Sequence, residues 1–161
     1  ADGINRLAMA PESWEWFLKR RGPTWITPHY QEFLRLFPEY KDLEPMESVI
    51  RAAKSSGISI LLKGAHSLIA DPYGKTWQLG TTAPWTARSG LGDVMAGFIT
   101  GLGAMGMITS EGCTGKLLAS LALLHAEAGI QSKNGSKASD IASCLSKMTV
   151  SLQSRNVGIG T

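Results

Sequence analysis

Hydrophobic residues recur with two different spacings in the first half of the chain. Helical spacing over residues 11–21 and 44–56 alternates with short apolar runs at residues 24–27 and 58–62, and the second run is rich in β-branched side chains. The pattern predicts helices alternating with strands. Because strands joined by helical crossovers run parallel and are covered on both faces, this half is typical of an α/β sheet.

The second half predicts a hairpin and then helices alone. Residues 67–70 and 76–79 flank the segment from Asp71 to Gly74, whose proline and glycine suit a type I turn, so the two flanks are expected to pair antiparallel. Further helices are expected over residues 93–106, about 112–128 and about 137–153. The elements together predict a three-layer α/β/α fold with a mainly parallel sheet and an antiparallel hairpin, in one domain over residues 1–161.

Binding residues are expected where the predicted strands end. Thr27 is expected to cap the following helix, with Pro28 at the first helical position. Ligands of open α/β sheets bind beyond the carboxyl ends of the strands. His29, Lys63 and Asp93 all fall at such ends, so the pattern alone favours them as site residues.

Charge and hydrophobicity exclude two classes of partner. The chain of 161 residues has a net charge of +3, and its one basic cluster, Lys19 to Arg21, ends a predicted helix, where cations complement the helix dipole. Nucleic acid is therefore not expected. Residues 94–110 carry no charge, yet this stretch is shorter than the roughly 20 residues of a membrane span and contains four glycines, so a buried helix is expected.

Several conspicuous side chains are expected to be structural. Trp14, Phe17 and Leu18 share the apolar side of the first predicted helix, and His125 lies within an apolar helical pattern. The cysteines at positions 113 and 144 show no metal-ligand spacing and no signal peptide precedes them. Reduced thiols in a cytoplasmic protein are the simplest account.

A glycine-rich turn precedes the predicted helix at residue 93. Gly90 and Gly92 let the backbone approach a ligand, and the unpaired N–H groups of a helix start favour a phosphate oxygen. Phosphate repels the carboxylate of Asp93, so the expected use of Asp93 is to take a proton beside a phosphate undergoing transfer. The alternative is structural, since glycine caps helices and aspartate stabilises first turns.

Four short segments, in a fixed order along the chain, carry a family resemblance. They are ADGIN at residues 1–5, TPHYQEF at 27–33, LKGAH at 62–66 and SGLGDVMAG at 89–97, the last preceded by Ala87-Arg88. They resemble the D-A-D-[AG]-[LI]-N, T-P-H-P-G-E-[FM], K-G-x-x-[ST] and G-[TS]-G-D-V-L-[AT]-G segments of the NAD(P)H-hydrate dehydratases, which belong to the ribokinase-like superfamily. The resemblance extends to about Ile141.

The resemblance implies a cofactor-repair enzyme. Members phosphorylate a hydroxyl of NADH or NADPH that is hydrated at the nicotinamide ring, using ADP (ATP in eukaryotic members), and loss of the phosphate restores the cofactor. The resemblance implies Asp93 as the catalytic base in contact with the substrate, Gly92 in the anion hole and His29 on the hydrated dinucleotide. It further implies that the adenine nucleotide is surrounded by Lys63, Gly64, Ala65, His66 and Ser67.

Each implied role has an alternative. His29 can be a polar cap, and Glu32 can stabilise the same turn as in a capping box or help to hold a metal, the structural role being favoured. Residues 63–67 can be a charged strand end and a tight turn. Trp85 can stack on a ligand ring, but a loop tryptophan more often covers the edge of a core. The chain lacks the N-x-x-E motif of sugar kinases, so magnesium is left open as a companion of the nucleotide.

Departures from the family pattern leave rival interpretations open. Tyr30-Gln31 stands where Pro-Gly is usual, Leu91 where threonine or serine is usual, and Trp85 where the loop is usually small. The chain opens inside the first motif, which the resemblance implies to be part of a core strand, so it resembles the C-terminal portion of the domain. A homo-oligomer or a complementing N-terminal segment is therefore expected. The rivals are a small-molecule kinase of the same superfamily and a nucleotide-binding remnant without catalysis.

Overall fold

Helices and strands alternate in the first part of the chain, and helices alone follow. The computed structural model describes residues 2–80, 89–107, 114–132 and 137–157. Within these ranges the elements are α1 (Asp2–Met9), β1 (Trp25–Ile26), α2 (Tyr30–Leu36), α3 (Pro45–Ser56), β2 (Ser59–Leu62), β3 (Leu68–Ala70), β4 (Thr76–Gln78), α4 (Leu91–Gly106), α5 (Gly115–Gln131) and α6 (Ala138–Val157). A 3-10 helix, Ser13–Lys19, precedes β1, and another, Pro38–Tyr40, follows α2.

The described strands form one sheet in the order β1-β2-β3-β4. β1 pairs with β2 in parallel, with Trp25 opposite Ser59, whereas β2 with β3 and β3 with β4 pair antiparallel. The α/β class and the antiparallel hairpin are therefore confirmed. The described sheet is mixed rather than mainly parallel, because β3 returns from β2 through a short turn and only β1 and β2 share a direction.

Side chains of β2 and β3 point alternately towards two layers of helices. Ile60 and Ala70 belong to a hydrophobic core with residues of α2 and α3, whereas Leu61 and Ile69 belong to a second core with residues of α4 and α5. Alternation along a strand produces this division, and all four residues of β2 are buried. The sheet is thus covered on both faces, and α6 packs against α4 and α5.

Two local signals act as the sequence predicts. α3 ends at Gly57, which adopts a left-handed conformation with φ of 70° and donates its N–H to the carbonyl oxygen of Ala53 at 3.0 Å. In the hairpin turn, one carboxylate oxygen of Asp71 accepts the N–H groups of Tyr73 at 3.0 Å and Lys75 at 2.9 Å. These bonds hold the turn that sets the register of β3 and β4.

The prediction of an α-helix in the first helical segment is wrong. The segment expected as an α-helix over residues 11–21 contains the 3-10 helix Ser13–Lys19, in which Phe17 is buried and Leu18 is 59% exposed. A 3-10 helix has about three residues per turn, so Trp14 and Phe17 share one side while Leu18 turns away from it.

Residues 2–9 form α1, although the resemblance implies a core strand at this place. Ile4, Leu7 and Ala8 recur at helical spacing and pack against the first core. This spacing explains why the segment is a helix, because a strand would place every second residue on the buried face. Among the described helices none is sufficiently long and apolar to cross a membrane.

Candidate functional site

α2 begins at a turn that is capped by His29 rather than by Thr27. Nδ1 of His29 accepts the backbone N–H of Glu32 at 3.3 Å, and the carboxylate of Glu32 accepts the backbone N–H of His29 at 2.8 Å. This reciprocal pair is a capping box, which confirms the structural role expected of Glu32. The His-x-x-Glu spacing was the available signal, but threonine is a commoner cap than histidine, and this misplaced the predicted cap.

The two partners of the capping box differ in burial. The Glu32 side chain is 4% exposed, whereas that of His29 is 52% exposed. The second carboxylate oxygen of Glu32 lies 3.6 Å from Nε2 of His29, which is too long for a hydrogen bond but close for an electrostatic contact. His29 is therefore anchored on one side and open to a ligand on the other.

His29 lies beside Lys63 at the carboxyl ends of neighbouring strands. The two residues form an isolated parallel bridge that extends the pairing of β1 with β2, and the N–H of Lys63 donates to the carbonyl oxygen of Pro28 at 2.8 Å. Two motifs that are far apart in the sequence therefore meet at one end of the sheet. The turn after Lys63 exposes Gly64, Ala65 and His66 and leads into β3 through the partly buried Ser67.

α4 begins at a glycine cap. Gly90 has φ of 84° and no side chain that could cap the helix. Leu91 is the first residue of α4, two residues earlier than predicted, and its side chain packs against helices α5 and α6. The exposed residues Gly92 and Asp93 follow in the first turn. The first-turn position of Asp93 is confirmed, whereas its role as a base stays a prediction.

Lys63 connects the sheet to the start of α4. A Cβ atom placed on Gly92 would lie 3.6 Å from Nζ of Lys63. The ammonium group and the N–H groups of the helix start can hold phosphate oxygens, and the neighbouring carboxylate of Asp93 can take a proton. The structure thus brings together His29, Lys63 and Gly92, which the sequence pattern selected from three separate segments.

His125 supports the same turn from α5. Its side chain is 5% exposed, and Nε2 has no hydrogen-bond partner within the described residues. Burial lowers the pKa of His125, and a hydrogen bond with the backbone of Leu91 opposes that shift in part. Leu91 also packs in a cluster with Ala128 and Ile141. The burial agrees with the structural role expected of His125.

A cavity of about 660 Å³ lies at the opposite end of the sheet. Its lining includes Trp25 and Ser59, which begin β1 and β2, and Asp71 of the hairpin turn. None of the predicted site residues lines it. The candidate site is therefore assigned to the end with His29 and Lys63, where the titratable and phosphate-binding groups meet.

Two further sequence expectations concern metals and thiols. In the described part of the chain, no three His, Cys, Asp or Glu side chains gather as metal ligands would. Cys144 has a free thiol. Trp85 and Cys113 lie outside the described residues, so their expected roles stay predictions.

Comparison with known protein sequences gives a consistent set of matches. The family model of NAD(P)H-hydrate dehydratases matches residues 1–150. A bifunctional NAD(P)H-hydrate repair enzyme Nnr from Synechocystis sp. is 38% identical over 130 residues, which are 81% of this chain and 24% of that relative. Another from Mycobacterium leprae is 36% identical over 111 residues, which are 69% of this chain and 23% of that relative.

Solved structures give the same association. The ADP/ATP-dependent NAD(P)H-hydrate dehydratase of Bacillus subtilis, co-crystallised with ATP/Mg²⁺ and soaked with CoA, is 25% identical and superposes with a TM-score of 0.63 over 80% of this chain and 48% of that one. A ribokinase-like superfamily protein of Enterococcus faecalis is 26% identical, with a TM-score of 0.63 over 75% of this chain and 42% of that one. The chain thus spans less than half the length of these two structures and about a quarter of the two relatives above.

Proposed function

The chain belongs to the NAD(P)H-hydrate dehydratase family, and on that premise we propose that it is part of a lyase that restores NADH or NADPH from the (6S)-hydrated forms, with ADP as phosphoryl donor. Residues 1–161 would be one partial ribokinase-like domain. The substrate and the donor belong to the proposal because the chain spans only part of its relatives.

One observation carries this proposal. The bridge between His29 and Lys63 and the 3.6 Å approach of Lys63 Nζ to the Cβ position of Gly92 gather three family motifs at the carboxyl ends of β1 and β2. An α/β sheet binds its ligands at this edge. A histidine, an ammonium group and a helix start with a glycine cap and a first-turn carboxylate are together suited to a dinucleotide and a transferring phosphoryl group.

The proposed reaction proceeds in two steps. Asp93 takes the proton of the ring hydroxyl while that oxygen attacks the terminal phosphorus of ADP, and AMP leaves. The N–H of Gly92 and the ammonium of Lys63 offset the charge that develops on the phosphoryl oxygens. Phosphate then leaves the ring together with a proton of the neighbouring carbon, which restores the double bond. His29 contacts the dinucleotide.

The proposal also includes a binding site for the nucleotide and a source for its metal ion. Crystals of the B. subtilis dehydratase contained ATP and Mg²⁺. We assign the turn from Lys63 to Ser67 to the adenine nucleotide, and Mg²⁺ is proposed to arrive with it, since the described residues offer no cluster of metal ligands.

The partner of this chain is also a proposal. β1 is one of the two edge strands of the described sheet, and an edge strand presents unpaired backbone groups. We propose that an N-terminal segment or a second copy of the chain completes the site. We further propose that the protein is located in the cytoplasm. Sedimentation of the chain alone should show self-association, and a monodisperse monomer that turns over the hydrate would refute the need for a partner.

Turnover of (6S)-hydrated NADPH with ADP tests the function. We expect the native protein to produce NADPH, AMP and phosphate in equal amounts, measured by absorbance of the reduced nicotinamide and by chromatography. Phosphorylation of a thiazole or hydroxymethylpyrimidine alcohol without NADPH formation would support the kinase alternative instead. Binding of ADP by calorimetry without turnover of either substrate would support the non-catalytic remnant.

A further inference from the structure

The two ring nitrogens of His29 have different surroundings. Nδ1 accepts the backbone N–H of Glu32 at 3.3 Å. Nε2 lies 3.6 Å from the carboxylate of Glu32, on a side chain that is 52% exposed. The capping box therefore bonds Nδ1 and leaves Nε2 without a hydrogen bond to Glu32. The exposed part of the ring is accessible to a ligand.

This asymmetry selects one neutral tautomer. A nitrogen that accepts an N–H must present a lone pair, so a neutral ring carries its proton on the other nitrogen. For His29 the hydrogen bond from Glu32 leaves the proton on Nε2. The carboxylate near Nε2 favours a proton at the same place by electrostatic attraction.

The side chain of Glu32 also fixes where the ring lies. Its carboxylate accepts the N–H of His29 at 2.8 Å, and the N–H of Phe33 donates to the carbonyl oxygen of His29 at 2.9 Å. The preceding residue, Pro28, accepts the N–H of Lys63. Backbone and ring of His29 are thus held from the helix and from the sheet, which leaves little freedom to reorient.

We propose that neutral His29 is held as the Nε2–H tautomer, with Glu32 as its positioning residue, and that this N–H is the donor offered to the substrate. The group that meets His29 is therefore a hydrogen-bond acceptor, such as a carbonyl, hydroxyl or phosphate oxygen of the hydrated dinucleotide. The substrate part of this inference rests on the proposed function, whereas the tautomer depends on this chain alone.

Nitrogen NMR of the chain with ¹⁵N-labelled histidine tests the tautomer. In the neutral form of the ring, His29 should show an unprotonated Nδ1 and a protonated Nε2. The spectrum of His29→Gln assigns the resonances. A protonated Nδ1, or equal shares of both tautomers, would overturn the proposal.

Removal of the carboxylate tests the role of Glu32. In Glu32→Ala the His29 resonances should move towards a mixture of tautomers, and KM for the hydrate should rise while kcat changes little. Glu47→Ala is the matched control, because Glu47 is an exposed glutamate in the first turn of α3 that pairs with Arg51. Unchanged His29 resonances in Glu32→Ala would contradict a positioning role.

Two substitutions of His29 separate the fold from recognition. Asparagine is among the best helix caps but reaches only the position of Nδ1, whereas glutamine can place an N–H near Nε2 but caps poorly. We expect His29→Asn to keep the urea midpoint and to weaken hydrate affinity about tenfold, as the loss of one good hydrogen bond would. His29→Gln should lower the midpoint and keep more of the affinity.

The reverse order, with full affinity in His29→Asn, would show that His29 is only a cap. If the native protein binds no hydrate at all, the proposed function and the substrate part of the inference both fail. The NMR result still decides the tautomer in that case, so the two failures are distinguishable.

Discussion

Two turns border the candidate site, and they are built in opposite ways. At the start of α2, His29 and the buried Glu32 cap each other's backbone N–H groups. At the start of α4, the cap residue is Gly90, which turns the chain with φ of 84° and has no side chain with which to cap the helix. One turn is capped by side chains of its own segment, whereas the cap residue of the other turn offers no side chain to the first N–H groups of the helix.

The difference fits the ligand groups that the turns are proposed to meet. A side-chain cap on α4 would compete with phosphate for the same N–H groups, so a bare glycine turn suits an anion. In the capped turn, side chains already bond the backbone N–H groups of His29 and Glu32. This turn holds one aromatic ring in a fixed orientation instead, which suits recognition of a particular substrate atom.

The largest effect on turnover is expected at Asp93, the carboxylate of the glycine-capped turn at the start of α4 (the bare turn). Asp93→Asn keeps the shape of the residue but removes its basicity, so turnover in the complete enzyme should fall roughly 100-fold or more. Affinity for ADP, measured by calorimetry, should stay similar or rise because repulsion of phosphate is relieved. Near-normal turnover would leave Asp93 as a residue that only stabilises the first turn.

A side chain added to the bare turn should weaken nucleotide binding. Gly92→Val would place methyl groups beside Lys63 Nζ, where phosphate is proposed to lie, and ADP affinity should fall at least roughly tenfold, about 1.4 kcal/mol. Gly97→Val is the matched control in the same helix, because a Cβ there meets nothing within 4 Å. Equal affinities for the two variants would remove Gly92 from the site.

The bare turn should also be sensitive to conformational strain. Gly90→Ala forces a left-handed conformation on a residue with a Cβ, so the free energy of unfolding should fall by about 1 kcal/mol. Gly97→Ala, in the middle of α4, should raise it by roughly 0.5 kcal/mol. Urea denaturation of both variants measures the difference, and equal stabilities would argue against a strained cap.

The smallest effect concerns acid stability, through the histidine behind the bare turn. Burial lowers the pKa of His125, so below about pH 6.5 the unfolded state binds a proton that the folded state does not. Stability should therefore be lost as the pH falls from neutrality through the folded-state pKa. His125→Leu should flatten this dependence in urea titrations. A pH dependence that survives in His125→Leu must arise elsewhere.

Most of the sheet could be predicted because its signals are local. The apolar run of β2, the glycine at position 57 and the turn at Asp71 each act through neighbouring residues. The 3-10 helix Ser13–Lys19 and α1 were missed because apolar residues at helical spacing do not specify the helix type or exclude a competing motif.

The candidate site divides in the same way. Its position at the strand ends followed from the alternation of elements, which selected His29, Lys63 and Asp93. The approach of Lys63 to Gly92 could not be predicted, because it depends on how two separate segments pack. The histidine cap was missed although its His-x-x-Glu spacing is local, because threonine is the commoner cap. Leu91 shows why sequence alone was not sufficient. It replaces the threonine or serine that is usual in the family motif, and only the structure shows that its side chain packs against α5 and α6.

The indole ring of Trp25 packs between the strand that precedes one turn and the helix that follows the other. A Cβ on Gly103 of α4 would lie 2.7 Å from Cζ3 of Trp25, so only glycine lets the helix come this close to β1. Trp25 begins the strand that leads to His29, and Gly103 lies roughly 15 Å along the helix from Asp93. Trp25 therefore limits how closely α4 and β1 can approach, and a larger residue in place of Gly103 would push them apart without altering any residue of the candidate site.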